Sequence, residues 1–173
     1  MNTLIYRFYR AMAFIGIGVL AMIAVLSVVS IIGRSLISLG LGPVRGDFEL
    51  VEMGAALAIF CFMPWAQLRR AHAVVDLMWG VIPVALKRPL TVLTDALMLV
   101  LWVVLVWRMG VAMGDYRATG ETTLVLLMPV WWGYAVSMVP AVLGLVAYAW
   151  KLGESLGWLQ APAEYAAPAE AGH

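Results

Sequence analysis

Four stretches of the chain stay apolar over long runs: Ala11 to Gly33, Phe48 to Leu68, Leu90 to about Gly114, and Leu124 to Trp150. A helix needs about 20 apolar residues to cross roughly 30 Å of hydrocarbon, and it satisfies its own backbone where no water can. The pattern predicts an all-α integral membrane fold, with four transmembrane helices at about 11–33, 48–68, 90–114 and 124–150. Gly40, Gly42, Pro43 and Gly46 mark a turn between the first two spans.

The segment from Arg69 to Pro89 is too short and too polar to cross. Its apolar residues Val74, Leu77, Met78, Val81, Ile82 and Ala85 recur at helical spacing, while Arg69, His72 and Asp76 share another face. That spacing predicts an amphipathic surface helix at about 71–86, lying between the second and third spans and kinked or restarted at Pro83. Residues 1–160 form one membrane domain on this reading. The end from Ala161 to His173, with Pro162, Pro168 and repeated Ala and Glu, reads as a flexible cytoplasmic tail.

Composition agrees with the bilayer as solvent: 64% of the 173 residues are hydrophobic and 12% charged, with a mean hydropathy of +0.95. A soluble domain carries about twice that charge. The net charge is +1, and Lys and Arg are dispersed rather than gathered into a patch, which argues against nucleic-acid binding. Cys61 is the single cysteine, so the chain has no intrachain disulfide and no CxxC pair. Arg7 and Arg10 precede an apolar run that continues to Gly33, longer than the h-region of a cleaved signal, so the first span is expected to remain as an anchor.

With the N-terminus in the cytoplasm, Arg7, Arg10, Arg69, Arg70, Lys87, Arg88 and Lys151 lie inside, against Arg34, Arg45, Arg108 and Arg117 outside. The excess favours a multi-pass membrane protein with both termini cytoplasmic. Trp65, Trp79, Trp107, Trp131, Trp132, Trp150 and Trp158 fall near predicted span ends, where indoles anchor a helix in the headgroup zone.

Few residues are candidates for chemistry. Glu49 and Glu52 lie three apart at the start of the second span, so a cation or proton site is one reading. The more economical reading is a favourable position at the helix N-terminus and pairing with Arg34, Arg45 or a partner subunit. Asp95, about one turn inside the third span, suits an ion pair with Arg69, Arg70, Lys87 or Arg88 better than a proton relay. His72 and Asp76, four apart, suit a polar helix face, since a metal would need further ligands and the other histidine is His173. No histidine falls inside a span, which argues against haem. Gly110 with Gly114, and Gly133 with Ser137, permit close helix approach, while Pro129 and Pro140 are expected to disturb the fourth helix. These observations point to no catalytic residue, cofactor or metal site.

Two blocks carry a resemblance. Phe48-Glu49-Leu50-Val51-Glu52 leads through Phe60, Phe62 and Trp65 to Arg69-Arg70-Ala71-His72-Ala73-Val74-Val75-Asp76. Gly120-Glu121-Thr122-Thr123-Leu124 is followed by Met128-Pro129-Val130-Trp131-Trp132-Gly133-Tyr134. The ordered set resembles the DctQ family, the small permease subunits of tripartite ATP-independent periplasmic (TRAP) transporters. Ala73 departs from it, standing where a β-branched residue is expected.

The resemblance implies a scaffold that braces a large TRAP permease subunit among membrane lipids and helps dock a periplasmic substrate-binding protein. Such systems take up organic acids by cation symport, with the coupling sodium expected in the large subunit. On this reading Glu49, Glu52, Arg69, Arg70, His72, Asp76, Asp95, Gly110 and Gly114 are structural or interface candidates. Arg45, Asp47, Arg117 and Glu121 are candidates for docking the binding protein. The competing reading is a free-standing small four-helix transporter or channel. It requires a polar path, and the span interiors offer little beyond Ser27, Ser30, Cys61 and Ser137.

Overall fold

The computed structural model describes residues 2–70 and 84–160. Four long helices account for most of them: α1 (Asn2–Ser35), α2 (Asp47–Leu68), α3 (Val84–Thr119) and α4 (Trp131–Leu156). All four are long and apolar enough to cross a membrane. At a rise of 1.5 Å per residue, α1 and α3 are each about 50 Å long, so they outrun the hydrocarbon at one or both ends.

Consecutive helices run in opposite directions, but their order in space is not their order in sequence. α1 packs along α2, α2 along α4, and α4 along α3, while α1 meets α4 only briefly. The result is a row with α2 and α4 inside and α1 and α3 outside. In the most apolar stretch of each helix, 39% of α4 is buried, against 11% of α1 and of α3. The apolar character of the outer helices therefore serves their surroundings more than a core.

One end of the row, here called proximal, holds the start of α1, the end of α2, the start of α3 and the end of α4. The distal end holds the two connections 36–46 and 120–130. A core of Tyr6, Tyr9, Met12, Cys61, Leu68 and Ala147 fills the proximal half. Farther along, Trp102 stacks on Tyr148 with ring centres 4.6 Å apart and meets Phe60 edge-on. Its indole N–H donates to the Ala141 carbonyl at 2.9 Å, so a polar group in the middle of the membrane is satisfied.

At the distal turn Gly33 lies so close to the Gly42 carbonyl that a Cβ would approach its oxygen to 2.2 Å. The chain can then fold tightly back into α2, which begins after Gly46 at φ 72°. Gly110 and Gly114 do not hold helices together within this chain: a Cβ at Gly110 would meet only the end of Met138 at 3.6 Å, and one at Gly114 nothing within 4 Å. The close approaches are elsewhere, with the Ile23 side chain of α1 on Gly54 of α2, and the Trp102 indole of α3 on Gly144 of α4.

Several boundaries differ from the sequence expectation. The fourth helix starts at Trp131, not Leu124, because residues 122–130 make a tight loop in which Thr122 and Pro129 pair as an isolated antiparallel bridge. Pro129 thus precedes the helix instead of disturbing it, and Pro140 alone lies within. Residues 84–86, expected to end the surface helix, are the first turn of α3. The rest of that predicted helix, with His72, Asp76, Trp79 and Pro83, lies outside the described residues, as does the tail from Ala161.

Candidate functional site

Buried polar side chains among the described residues are Ser30, Gln67, Asp95, Ser137, Lys151 and Ser155. Ser137 alone falls in the middle of the row; the others belong to two polar clusters, one at each end.

The proximal cluster ties three helices together. Asp95 of α3 accepts from the Gln67 side chain of α2 at 3.1 Å and from the Ser155 hydroxyl of α4. Arg70, just past the end of α2, lies 3.7 Å from the same carboxylate and donates to Ser155 at 3.1 Å. Arg70 reaches this position with φ at 50°, a conformation that a side chain adopts at some strain. Of the cations considered for Asp95, Arg70 is the one in reach. Arg69 lies over the Trp65 ring, and Arg88 points at the Leu156 carbonyl.

Beside it, Glu154 of α4 accepts from the Tyr6 hydroxyl of α1 at 3.0 Å, from the Trp150 indole at 3.0 Å and from Lys151 at 2.8 Å. Lys151 and Glu154 are 7% and 5% exposed, so this ion pair is buried. Removing two charges from water is costly, and the extra donors from Tyr6 and Trp150 satisfy the remaining lone pairs that make such a pair tolerable. The spatial consequence is a continuous set of polar contacts from α1 through α4 to α2 and α3.

The distal cluster works differently, because its carboxylates hold loops. Glu49 accepts from the backbone N–H groups of Val125 at 2.7 Å and Leu126 at 2.9 Å, fixing the 120–130 loop over the start of α2. Leu126 then packs on Gly46, where a Cβ would lie 2.4 Å from the Leu126 side chain. Within the loop, Thr123 and Met128 exchange hydrogen bonds, and Leu127 adopts φ 54°. Glu49 therefore binds amides rather than Arg34 or Arg45. Asp47 accepts from the Ser30 hydroxyl and from the Phe48 N–H at 2.9 Å, with Arg34 at 3.5 Å.

Arg45, Glu52 and Glu121 are exposed at this end, and Arg117 lies over the Trp131 ring with 5.4 Å to its centre. Nearby, Tyr116 stacks on Tyr134 at 5.3 Å. Among the described residues no three of His, Cys, Asp and Glu come together as a metal site. Both arrangements brace backbone and helix ends.

The model of the DctQ component of tripartite ATP-independent periplasmic transporters matches residues 22–156. The chain belongs to the DctQ family. Comparison with curated proteins and with solved structures finds no match. As a DctQ component, the chain is a multi-pass membrane subunit of a transporter. The match includes both carboxylate anchors, Glu49 and Asp95, and the proximal residues Gln67, Arg70, Lys151, Glu154 and Ser155. Tyr6 lies before it.

Several of these residues escaped the sequence reading. Lys151 lies just beyond the expected span end at Trp150, whereas α4 continues to Leu156. The signal was present: Tyr148, Lys151 and Ser155 recur at helical spacing, as do Lys151 and Glu154. Tyr6 and Gln67 carry no such signal, since each hydrogen-bonds a partner 148 or 28 residues away in the chain.

Proposed function

We propose that this DctQ chain braces the large permease subunit in the bacterial inner membrane, with both termini cytoplasmic. Its distal end, with Arg45, Arg117 and Glu121, contributes to docking the periplasmic binding protein. The assembled system takes up an organic acid by cation symport, the sodium and substrate sites residing in the large subunit.

The observation that carries this reading is the separation of polarity. Buried polar and charged residues among the described residues gather at the two ends; between them the interior holds Ser137, and the Trp102 indole and Tyr9 hydroxyl, which are both satisfied by backbone carbonyls of α4. A solute path needs a series of polar groups at membrane depth, whereas a brace needs secured helix ends and apolar outer faces.

Reconstitution tests it. The chain alone in proteoliposomes should move no organic acid. Adding the large subunit and binding protein should give uptake that depends on a sodium gradient. Uptake by the isolated chain would overturn the scaffold reading and favour a free-standing transporter.

A further inference from the structure

The outward face of α3 contains one residue that lipid does not explain. Leu90, Thr94, Leu97, Leu101, Val104, Arg108, Val111 and Asp115 recur by alternating steps of four and three, a repeat of 3.5 residues. Leu90, Leu97, Leu101, Val104, Arg108, Val111 and Asp115 are all exposed, opposite the buried Asp95 and Trp102. A 3.5-residue seam is what packs into a second helix crossing at a small angle, and a single polar residue in it fixes register.

Depth makes Arg108 informative: the helix continues to Thr119, so Arg108 falls within the span and not on the outer side expected from the sequence. Asp95 is level with Arg70 and Ser155 at the proximal end, and Tyr116 stacks on Tyr134 near the distal belt of Trp131 and Trp132. From Asp95 to Tyr116 is about 31 Å along the helix, close to the roughly 30 Å thickness of the hydrocarbon. Arg108 lies about 12 Å below Tyr116 on the same scale, more than the length of its own side chain. No hydrogen bond or ion pair joins it to another described residue. Arginine at that depth needs an anion or a set of carbonyls, and lipid phosphate lies beyond the belt.

α1 provides the contrast. Between Arg10 and Arg34 its sequence holds no charged residue, so its exposed face suits acyl chains.

We infer that α3, rather than α1, seats the large permease subunit. The seam from Leu97 to Asp115 receives one transmembrane helix of that subunit, which sets a carboxylate opposite Arg108. This rests on the scaffold reading above and specifies its surface.

The test uses the full chain co-expressed with the large subunit. Arg108→Glu should lower the large subunit recovered with the chain at least tenfold, while Arg108→Lys retains most of it. Because a reversed charge can also impair insertion, cross-linking gives a second measurement. In a Cys61→Ala background, a benzophenone probe is attached after Val104→Cys, Val111→Cys or, on α1, Val25→Cys. Adducts with the large subunit at 104 and 111 but not at 25 are expected. If the unaltered complex purifies intact but the labelled Cys variants cross-link to the large subunit at 25, or give only lipid adducts at 104 and 111, this inference is overturned and the scaffold stands. Failure of the unaltered chain to retain the large subunit would remove both.

Discussion

The two ends of the bundle use carboxylates for opposite purposes. At the proximal end, Asp95 and Glu154 are buried and take donors from side chains of separate helices. At the distal end, Glu49 takes backbone amides of a loop, and Asp47 lies beside an Arg34 side chain that is 51% exposed. A side-chain network between helices fixes how the row is assembled; a carboxylate on amides fixes the shape of one connection. Damage should therefore spread from the proximal end and stay local at the distal one.

The largest expected effect comes from Glu154→Leu. It leaves Lys151 as a buried cation and removes the acceptor of Tyr6 and Trp150. Breaking one side of a buried ion pair costs about 3–5 kcal/mol. At about 2–4 °C per kcal/mol for a chain of this size, the detergent-solubilised protein should melt about 10 °C lower. A loss no greater than that from a Glu49 variant would break the proposed contrast.

Glu49→Ala should have a smaller and more confined effect. Two charge-assisted hydrogen bonds disappear, but water reaches Val125, which is 56% exposed, and replaces part of what is lost. Without these bonds the loop opens more often while the helices stay folded. Hydrogen exchange should therefore rise about tenfold at Val125 and Leu126, with little change in α2 or α4. Glu49→Gln, which retains one carbonyl acceptor, should fall between. Acceleration throughout the helices would show that this loop contributes to the global fold.

This contrast also explains what was legible in the sequence. Apolar runs directly revealed four membrane helices, because a spanning segment must be long and apolar whatever it packs against. The row order α1, α2, α4, α3 was not legible, since lipid-facing and helix-facing residues are equally apolar. Asp95 attracted notice as an acid within a span, and the nearby basic residues narrowed its partners to a few. The function of Glu49 was hidden because its partners are backbone amides, which no residue type announces. The run from Leu124 to Val130 read as helix for a similar reason: its composition is apolar, while its shape is set by Pro129, by the Thr123–Met128 hydrogen bonds and by Glu49.

The smallest expected effect is the most discriminating. Arg34→Ala removes a cation 3.5 Å from Asp47, but Asp47 keeps the Ser30 hydroxyl and the Phe48 N–H. A pair whose cation faces solvent in this way contributes little and is screened by salt. The melting temperature should change by no more than about 2–4 °C, and raising the salt concentration should reduce the difference between variant and parent. Ser30→Ala offers the internal control, because Ser30 is buried and bridges α1 to the start of α2. Its loss leaves Asp47 with a solvent-facing arginine in place of a buried hydroxyl, and the effect should exceed that of Arg34→Ala at every salt concentration. If Arg34→Ala is instead the more damaging and the effect persists in high salt, the distal ion pair is coupled to the helix bundle as the proximal one is, and the distinction between the two ends fails.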